Sequence, residues 1–376
     1  MSYLKNNKKG QYTLTFNWIY VLIAGAVILL FFIGIAVKQK SISEDNLSYD
    51  VTRILESIIT AATASEQTKN FVDTSSLTDY TFTFTCELDD YGGFKDIFSG
   101  YGVEDTSATE ETIIEPIFAP AKIQTAEMIT WSLPYKFPFK VMDVLMITSS
   151  NTKYFVIGDS SEQALKEELL NSTIDLNFEF IDSFDDIDPG DNYQVRIVDF
   201  DSGLSGSQVT DNGAIPESLE SLDDSKVSAI SFMSTGGINY YQKEGNHFEK
   251  LNNEVIPIIS NSPDERDVTK YAAIFTHNDE TYKCNMIKMF ERLEIISEVY
   301  SGKYQELLEY YSEGSETYDS ECLTALQTND PFNGIHLAAQ VCTSSGYSQC
   351  ISLINYASEI EQLNDLLDLE LCVTIY

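Results

Sequence analysis

From Trp18 to Val37 the chain reads WIYVLIAGAVILLFFIGIAV, twenty residues without a charge. At about 1.5 Å rise per residue, a helix of that length spans the roughly 30 Å hydrocarbon core of a bilayer. Lys5, Lys8 and Lys9 precede the run, Lys38 and Lys40 follow it, and Trp18 and Tyr20 stand where an interfacial aromatic belt sits. Residues 11–40 therefore read as a transmembrane helix, and no second segment like it follows. Everything after residue 40 must then be organised as a domain carried by one anchor.

That carried part is strongly acidic. Five of the 23 Lys and Arg and none of the 59 Asp and Glu lie in residues 1–40, which leaves the other 336 residues with 18 basic and 59 acidic groups, net −41. Phosphate binding needs clustered Lys and Arg, so nucleic acid and anionic lipid surfaces are excluded as partners of this part. Metal cations and basic partners suit it. An aromatic content of 12%, with 22 Tyr and 21 Phe, argues for packed cores and against disorder.

The six cysteines are Cys86, Cys284, Cys322, Cys342, Cys350 and Cys372, with no C-x-x-C pair and with His247, His277 and His336 far from them in sequence. That spacing does not suit zinc and reads as disulfides in an oxidising compartment. Lysine asymmetry across the apolar run, the cysteines and two glycosylation triplets at Asn46 and Asn171 together place the N-terminus inside and the C-terminal part outside the cell.

The apolar run is too long for the core of a secretory signal, and no A-x-A site follows it before Lys38. The junction Lys8-Lys9-Gly10-Gln11 ahead of it resembles the class III signal peptides of archaeal type IV pilin-like proteins. The resemblance implies cleavage between Gly10 and Gln11, before the helix that stays as the anchor. It covers about thirty residues. The Glu that such proteins carry at the fifth mature position, where it helps subunits assemble, is Thr15 here. With Phe16-Asn17-Trp18 and a long acidic remainder, the chain resembles membrane-anchored surface proteins of small-genome archaea, a group without assigned chemistry.

After a basic leader (1–10) and the transmembrane helix (11–40), Leu47, Val51, Ile54 and Ile58 recur at helical spacing and predict an amphipathic stalk helix over 41–72. The period then changes to two. Tyr80, Phe82, Phe84, Cys86 and Leu88 alternate with Thr and Glu as a one-sided strand. Further strands are predicted over 123–131 and 141–147, separated by Pro134 and Pro138, and over 154–157, 174–180, 193–200 and 227–233. A hairpin follows over 238–251, and residues 269–276 are read as completing the β-rich part. Ser160-x-x-Gln163 opens one helix through Leu170. Residues 73–280 thus read as a β-rich α/β or α+β ectodomain. From Tyr282 the helical period returns in Met286, Phe290, Leu293, Ile296, Tyr300, Leu307 and Tyr311, and a last helix is predicted over 352–369. The expected architecture is a single N-terminal transmembrane helix, this ectodomain, and a C-terminal disulfide-bonded helical subdomain over 281–376. Cys284 opens its first long helix and Cys372 closes its last. Antiparallel packing of those two helices pairs Cys284 with Cys372, joins Cys322 to Cys342 or Cys350, and leaves Cys86 for the remaining thiol or free.

Few residues point to chemistry. Asp185, Asp186, Asp188 and Asp191 around Pro189-Gly190 form the best candidate for a divalent cation, with Asp186, Asp188 and Asp191 as ligands, although Gly190 falls one place early for an EF-hand. Ser234-Thr-Gly-Gly237 reads as a hairpin entry rather than an anion cradle, since no Walker Lys or G-x-G-x-x-G accompanies it. Ser205 does not sit in a G-x-S-x-G elbow. His277 beside Asp279 and Glu280 has the makings of a base with an orienting carboxylate. No cofactor is implied. The reading that follows is a non-enzymatic surface protein that meets other surface proteins, in adhesion or envelope structure. Its rival is a tethered ligand-binding or hydrolytic domain with its site in the α/β head.

Overall fold

The computed structural model describes residues 22–23, 25–31, 33, 69–78, 80–88, 94–102, 107–112, 116–158, 176–190, 194–200, 204, 215–260, 267–326 and 330–376. Among them no helix is long and apolar enough to cross a membrane. This corrects the expected architecture: among the described residues the fold combines mixed sheets and helices with three disulfides, and no spanning helix. At this end residues 22–23, 25–31 and 33 are helical, with exposed side chains. The rest of 18–37, the leader and residues 41–68 of the expected stalk lie outside the described residues, and the stalk's last residues are strand, not helix.

Three sheets form the β part. The first is ordered β1 (Lys69–Asp73), β7 (Glu127–Lys136), β8 (Lys140–Ser149), β5 (Ile117–Phe118). The second is antiparallel, ordered β4 (Ser107–Thr112), β3 (Phe94–Gly102), β2 (Tyr80–Leu88), β6 (Lys122–Ile123). In the third, β10 (Phe178–Ile181), β9 (Thr152–Ile157), β11 (Gln194–Asp199) and β12 (Val227–Met233) run parallel. It continues antiparallel through β13 (Gly237–Glu244) and β14 (His247–Lys250), with β15 (Ile256–Pro257) also on β13.

The period-two pattern explains the layering. Phe82 and Phe84 turn inward from β2 onto Met128, Leu145 and Ile147, a small core between the first two sheets. The other faces of β7 and β8 carry Ile129, Trp131, Leu133, Val144 and Met146 into the main core. Facing strands of the third sheet add Tyr154, Val156, Val198 and Ile230 to it, and Phe155, Ile157, Val195 and Ile197 fill a third core behind that sheet. β7 and β8 form one hairpin through 137–139, so Pro134 does not separate strands as expected. It sits within β7, paired with Asp143.

Helix α1 (Val268–Phe275) lies between these layers, where a strand was expected over 269–276. Trp131 of the first sheet packs on Tyr271 at 5.1 Å between ring centroids, and Tyr154 of the third meets Phe275 at 5.6 Å. Seven of the eight residues of α1 are buried, with Lys270 reaching partly to solvent, and so short a run shows too little of the helical period to be told from a buried strand. The main core runs on unbroken into α2 (Asp279–Tyr310), α3 (Ser320–Leu326), α4 (Pro331–Ser345) and α5 (Ser352–Leu369). Met286, Phe290, Leu293 and Leu307 of the sequence stripe are buried, with Ile296 and Tyr300 packed at the margin.

The helix directions decide the disulfides. His336 Nδ1 meets Glu294 O at 3.0 Å and Ser301 Oγ donates to Asp330 Oδ2 at 2.9 Å, so α2 and α4 are antiparallel. The short link to α5 reverses direction again, which leaves α5 parallel to α2 and puts Cys372 at the far end from Cys284. The bridges are Cys86–Cys284, Cys322–Cys372 and Cys342–Cys350. The expected Cys284–Cys372 pair, and with it the antiparallel placement of the first and last helices, is corrected: Cys284 ties the second turn of α2 to β2.

Candidate functional site

Strand order in the third sheet marks one place. From β9 the chain goes to the edge strand β10, then returns past β9 to β11 and on to β12. Connections leaving the carboxyl ends of β9 and β11 therefore head to opposite edges, the arrangement that opens a crevice in parallel sheets. Gly158 follows β9 here, and a Cβ on it would meet Phe200 Cβ at 2.9 Å, so the two strand ends approach closely. Phe200 stacks on Phe232 with ring centroids 4.5 Å apart. Asp199, the last residue of β11, is fully buried, and its Oδ2 accepts from Leu204 N at 2.9 Å and Ser231 Oγ at 2.8 Å. The carboxylate thus pins the chain after β11 to β12. Those two donors are uncharged and come from the chain's own frame, which suits a structural anchor better than an acid or base.

Arg196, in the opposite phase of β11, points at α1. It is fully buried, with Nε donating to Ile274 O at 3.2 Å and Nη2 to Ala273 O at 3.4 Å and Thr276 O at 2.6 Å. The last carbonyls of a helix lack partners along the helix and carry partial negative charge, so a cation placed there satisfies both deficits. Tyr240 reinforces the end: its hydroxyl donates to Ala273 O at 3.2 Å and its ring lies 5.5 Å from the guanidinium carbon. Burial brings the Arg196 pKa down to about 10, with Tyr240 and Tyr154 acting against that, and the side chain remains a cation at neutral pH. Its Nη1 has no hydrogen-bond partner among the described residues.

His277 follows directly. Its Nε2 is enclosed without a partner among the described residues, and burial first, then Arg196, hold its pKa well below the ordinary imidazole value. The expected orienting carboxylate is engaged elsewhere, since Asp279 Oδ2 takes the Lys283 ammonium at 2.6 Å. His277 is therefore a neutral imidazole beside a fixed cation, which disfavours the protonated state a general base must reach.

The other sequence candidates form no shared site among the described residues. Asp185 and Asp186 are exposed in a short 3-10 turn (Phe184–Asp186), and Asp188 Oδ1 accepts from Gly190 N at 3.2 Å. Asp191 lies outside the described residues, as do Ser205, Gly10, Gln11, Asn46 and Asn171. No group of three His, Cys, Asp or Glu among the described residues is placed to hold a metal ion. Residues 234–236 turn between β12 and β13, with Gly236 at φ +83°, and a Cβ on Gly237 would meet Val255 Cγ1 at 2.3 Å. Arg196 and Asp199 escaped the sequence reading, although charged residues in an otherwise apolar strand, QVRIVD, are a signal that a buried polar task exists. Compared with protein-family models, curated proteins and solved structures, the chain matches none.

Proposed function

We propose that the protein is an extracytoplasmic, disulfide-stapled module of the cell envelope that binds other surface proteins, in adhesion or envelope structure, and is not an enzyme. The observation that carries this reading is the pairing of all six cysteines, with Cys86–Cys284 spanning 198 residues and Cys322–Cys372 spanning 50. Bridges of that reach persist in oxidising compartments. The buried polar side chains of β11 support it too, because Arg196 donates to backbone carbonyls of α1 and Asp199 accepts from Leu204 N. The leader is then removed between Gly10 and Gln11, which N-terminal sequencing of native protein reads directly.

Reduction of intact cells followed by a membrane-impermeant maleimide tests the location. Six thiols labelled only after reduction fit the proposal, and thiols labelled without reduction, or only after lysis, sink it. A second reading, a ligand-binding head, is favoured by one observation, the strand-order reversal at β9 and β11. A saturable thermal shift with a small molecule, abolished in a Gly158→Leu variant, would establish it.

A further inference from the structure

The C-terminal end of α5 closes in an unusual way. Leu371 N donates to Asp368 O at 3.0 Å and Cys372 N to Leu367 O at 2.8 Å, the paired bonds of a Schellman cap. The residue that turns left-handed in such a cap is usually Gly, because a Cβ is crowded at positive φ. Here it is Leu371, at φ +58°, and its side chain is 93% exposed. The chain bears a steric cost and a solvation cost at one position, and burial within the described fold repays neither.

Leu371 is not isolated. Val373 N donates to the Tyr311 hydroxyl at 3.0 Å, the Tyr310 ring lies 5.0 Å from that of Tyr311, and Cys372 is bonded to Cys322, four residues beyond Tyr318. Leu369, Leu371, Val373, Tyr310 and Tyr318 thus gather at one end of the bundle, and all are exposed. Apolar patches of this kind, rimmed by polar residues, mark sites of association.

The rim has one sign. After Lys303 the remaining 73 residues contain twelve Asp and Glu and no Lys or Arg. Lys303 itself donates to Ile375 O at 2.6 Å. Glu309, Glu313, Asp319, Glu321, Asp368 and Glu370 are exposed on the segments that frame the patch. A second copy of the chain would bring like charge against like, and so would nucleic acid or an anionic bilayer.

We infer that this end of the bundle is a docking surface for a cationic amphipathic segment of a partner protein, with the Leu371 side chain as the apolar anchor and the surrounding carboxylates selecting Lys and Arg. The inference rests on the proposed role as an interaction module and names the chemistry of its partner.

The test uses the full chain and three synthetic peptides of equal length: Lys/Leu with helical amphipathic spacing, Lys/Ser of the same charge, and Glu/Leu. Fluorescence anisotropy should show the Lys/Leu peptide binding, more weakly as salt rises, with Lys/Ser at least about tenfold weaker and Glu/Leu not binding. Leu371→Gly should raise the melting temperature, because it relieves the left-handed Leu, and yet weaken Lys/Leu binding about tenfold. Leu369→Ser should weaken it while leaving the melting temperature within a few degrees. A residue that served only the fold would not give stability and binding changes of opposite sign. Equal affinity of the Lys/Leu and Lys/Ser peptides, or undiminished binding to both variants, overturns the docking surface and leaves only general acidity. Thiol labelling on cells is read separately, so a failed location and a failed docking surface are told apart.

Discussion

Arg196 Nη2 lies 2.6 Å from Thr276 O, and through that contact a strand of the third sheet holds the end of a helix buried between two sheets. With its two companion bonds, the guanidinium supplies donors that water cannot reach. Arg196→Met keeps much of the volume and removes the donors, leaving three buried carbonyls without this partner. Each unsatisfied buried group costs about 1–3 kcal/mol, partly offset by no longer burying a charge, so a loss of roughly 2–4 kcal/mol is expected. Urea unfolding measures it; a loss below about 1 kcal/mol would mean that other groups satisfy the α1 carbonyls.

His277 makes stability depend on pH in a stated direction. Its folded-state pKa lies well below the ordinary 6.5, so between those values the unfolded chain binds a proton that the native state refuses. The contribution is intact above about pH 6.5 and falls away below it, by about 1.4 kcal/mol per pH unit until the folded pKa is reached. His277→Gln removes this slope. Parallel stability curves for the two proteins from pH 7 to 5 would contradict the assignment.

The three bridges should differ in weight. In the chain-entropy picture a loop of 198 residues is worth about 5 kcal/mol and one of 8 residues about 2.5 kcal/mol, before any local adjustment. Replacing Cys86 and Cys284 together by Ser should therefore lower the denaturation midpoint more than replacing Cys342 and Cys350. Non-reducing peptide mapping checks the connectivity itself, and a Cys284–Cys372 peptide would contradict the parallel arrangement of α2 and α5.

Salt should stabilise this chain. With 59 acidic against 23 basic residues, repulsion across the surface opposes compaction. Raising NaCl from about 0.01 to 1 M shortens the screening length from roughly 30 to 3 Å. The melting temperature of the full chain should climb over that range, and a flat response would show that the carboxylates are spaced widely enough not to matter.

Local pattern was readable where an element shows one face to a core and the other to water. The alternation from Tyr80 to Leu88 marks β2, and the apolar residues of Ser352–Leu369 mark α5 at those bounds, because side-chain direction repeats every 2 or 3.6 residues whatever the neighbours are. The same logic fails for α1, whose Tyr271-Ala-Ala-Ile-Phe275 is buried throughout and too short to show a period. It fails too for the candidate site. Arg196 looks like a stray charge in the sequence and is enclosed by carbonyls contributed from residues about eighty positions later.

By itself the sequence determined the acidity, the oxidisable cysteines and the faces of the amphipathic elements, since these depend on composition and on near neighbours in the chain. Tertiary structure decided which cysteines meet and what the buried charges do. Cys284 finds Cys86 because three successive long helices alternate in direction, which leaves the first and last parallel and carries Cys372 away to Cys322. That outcome depends on the parity of reversals and on which sheet receives the start of α2, and neither is written in the spacing of residues along one element.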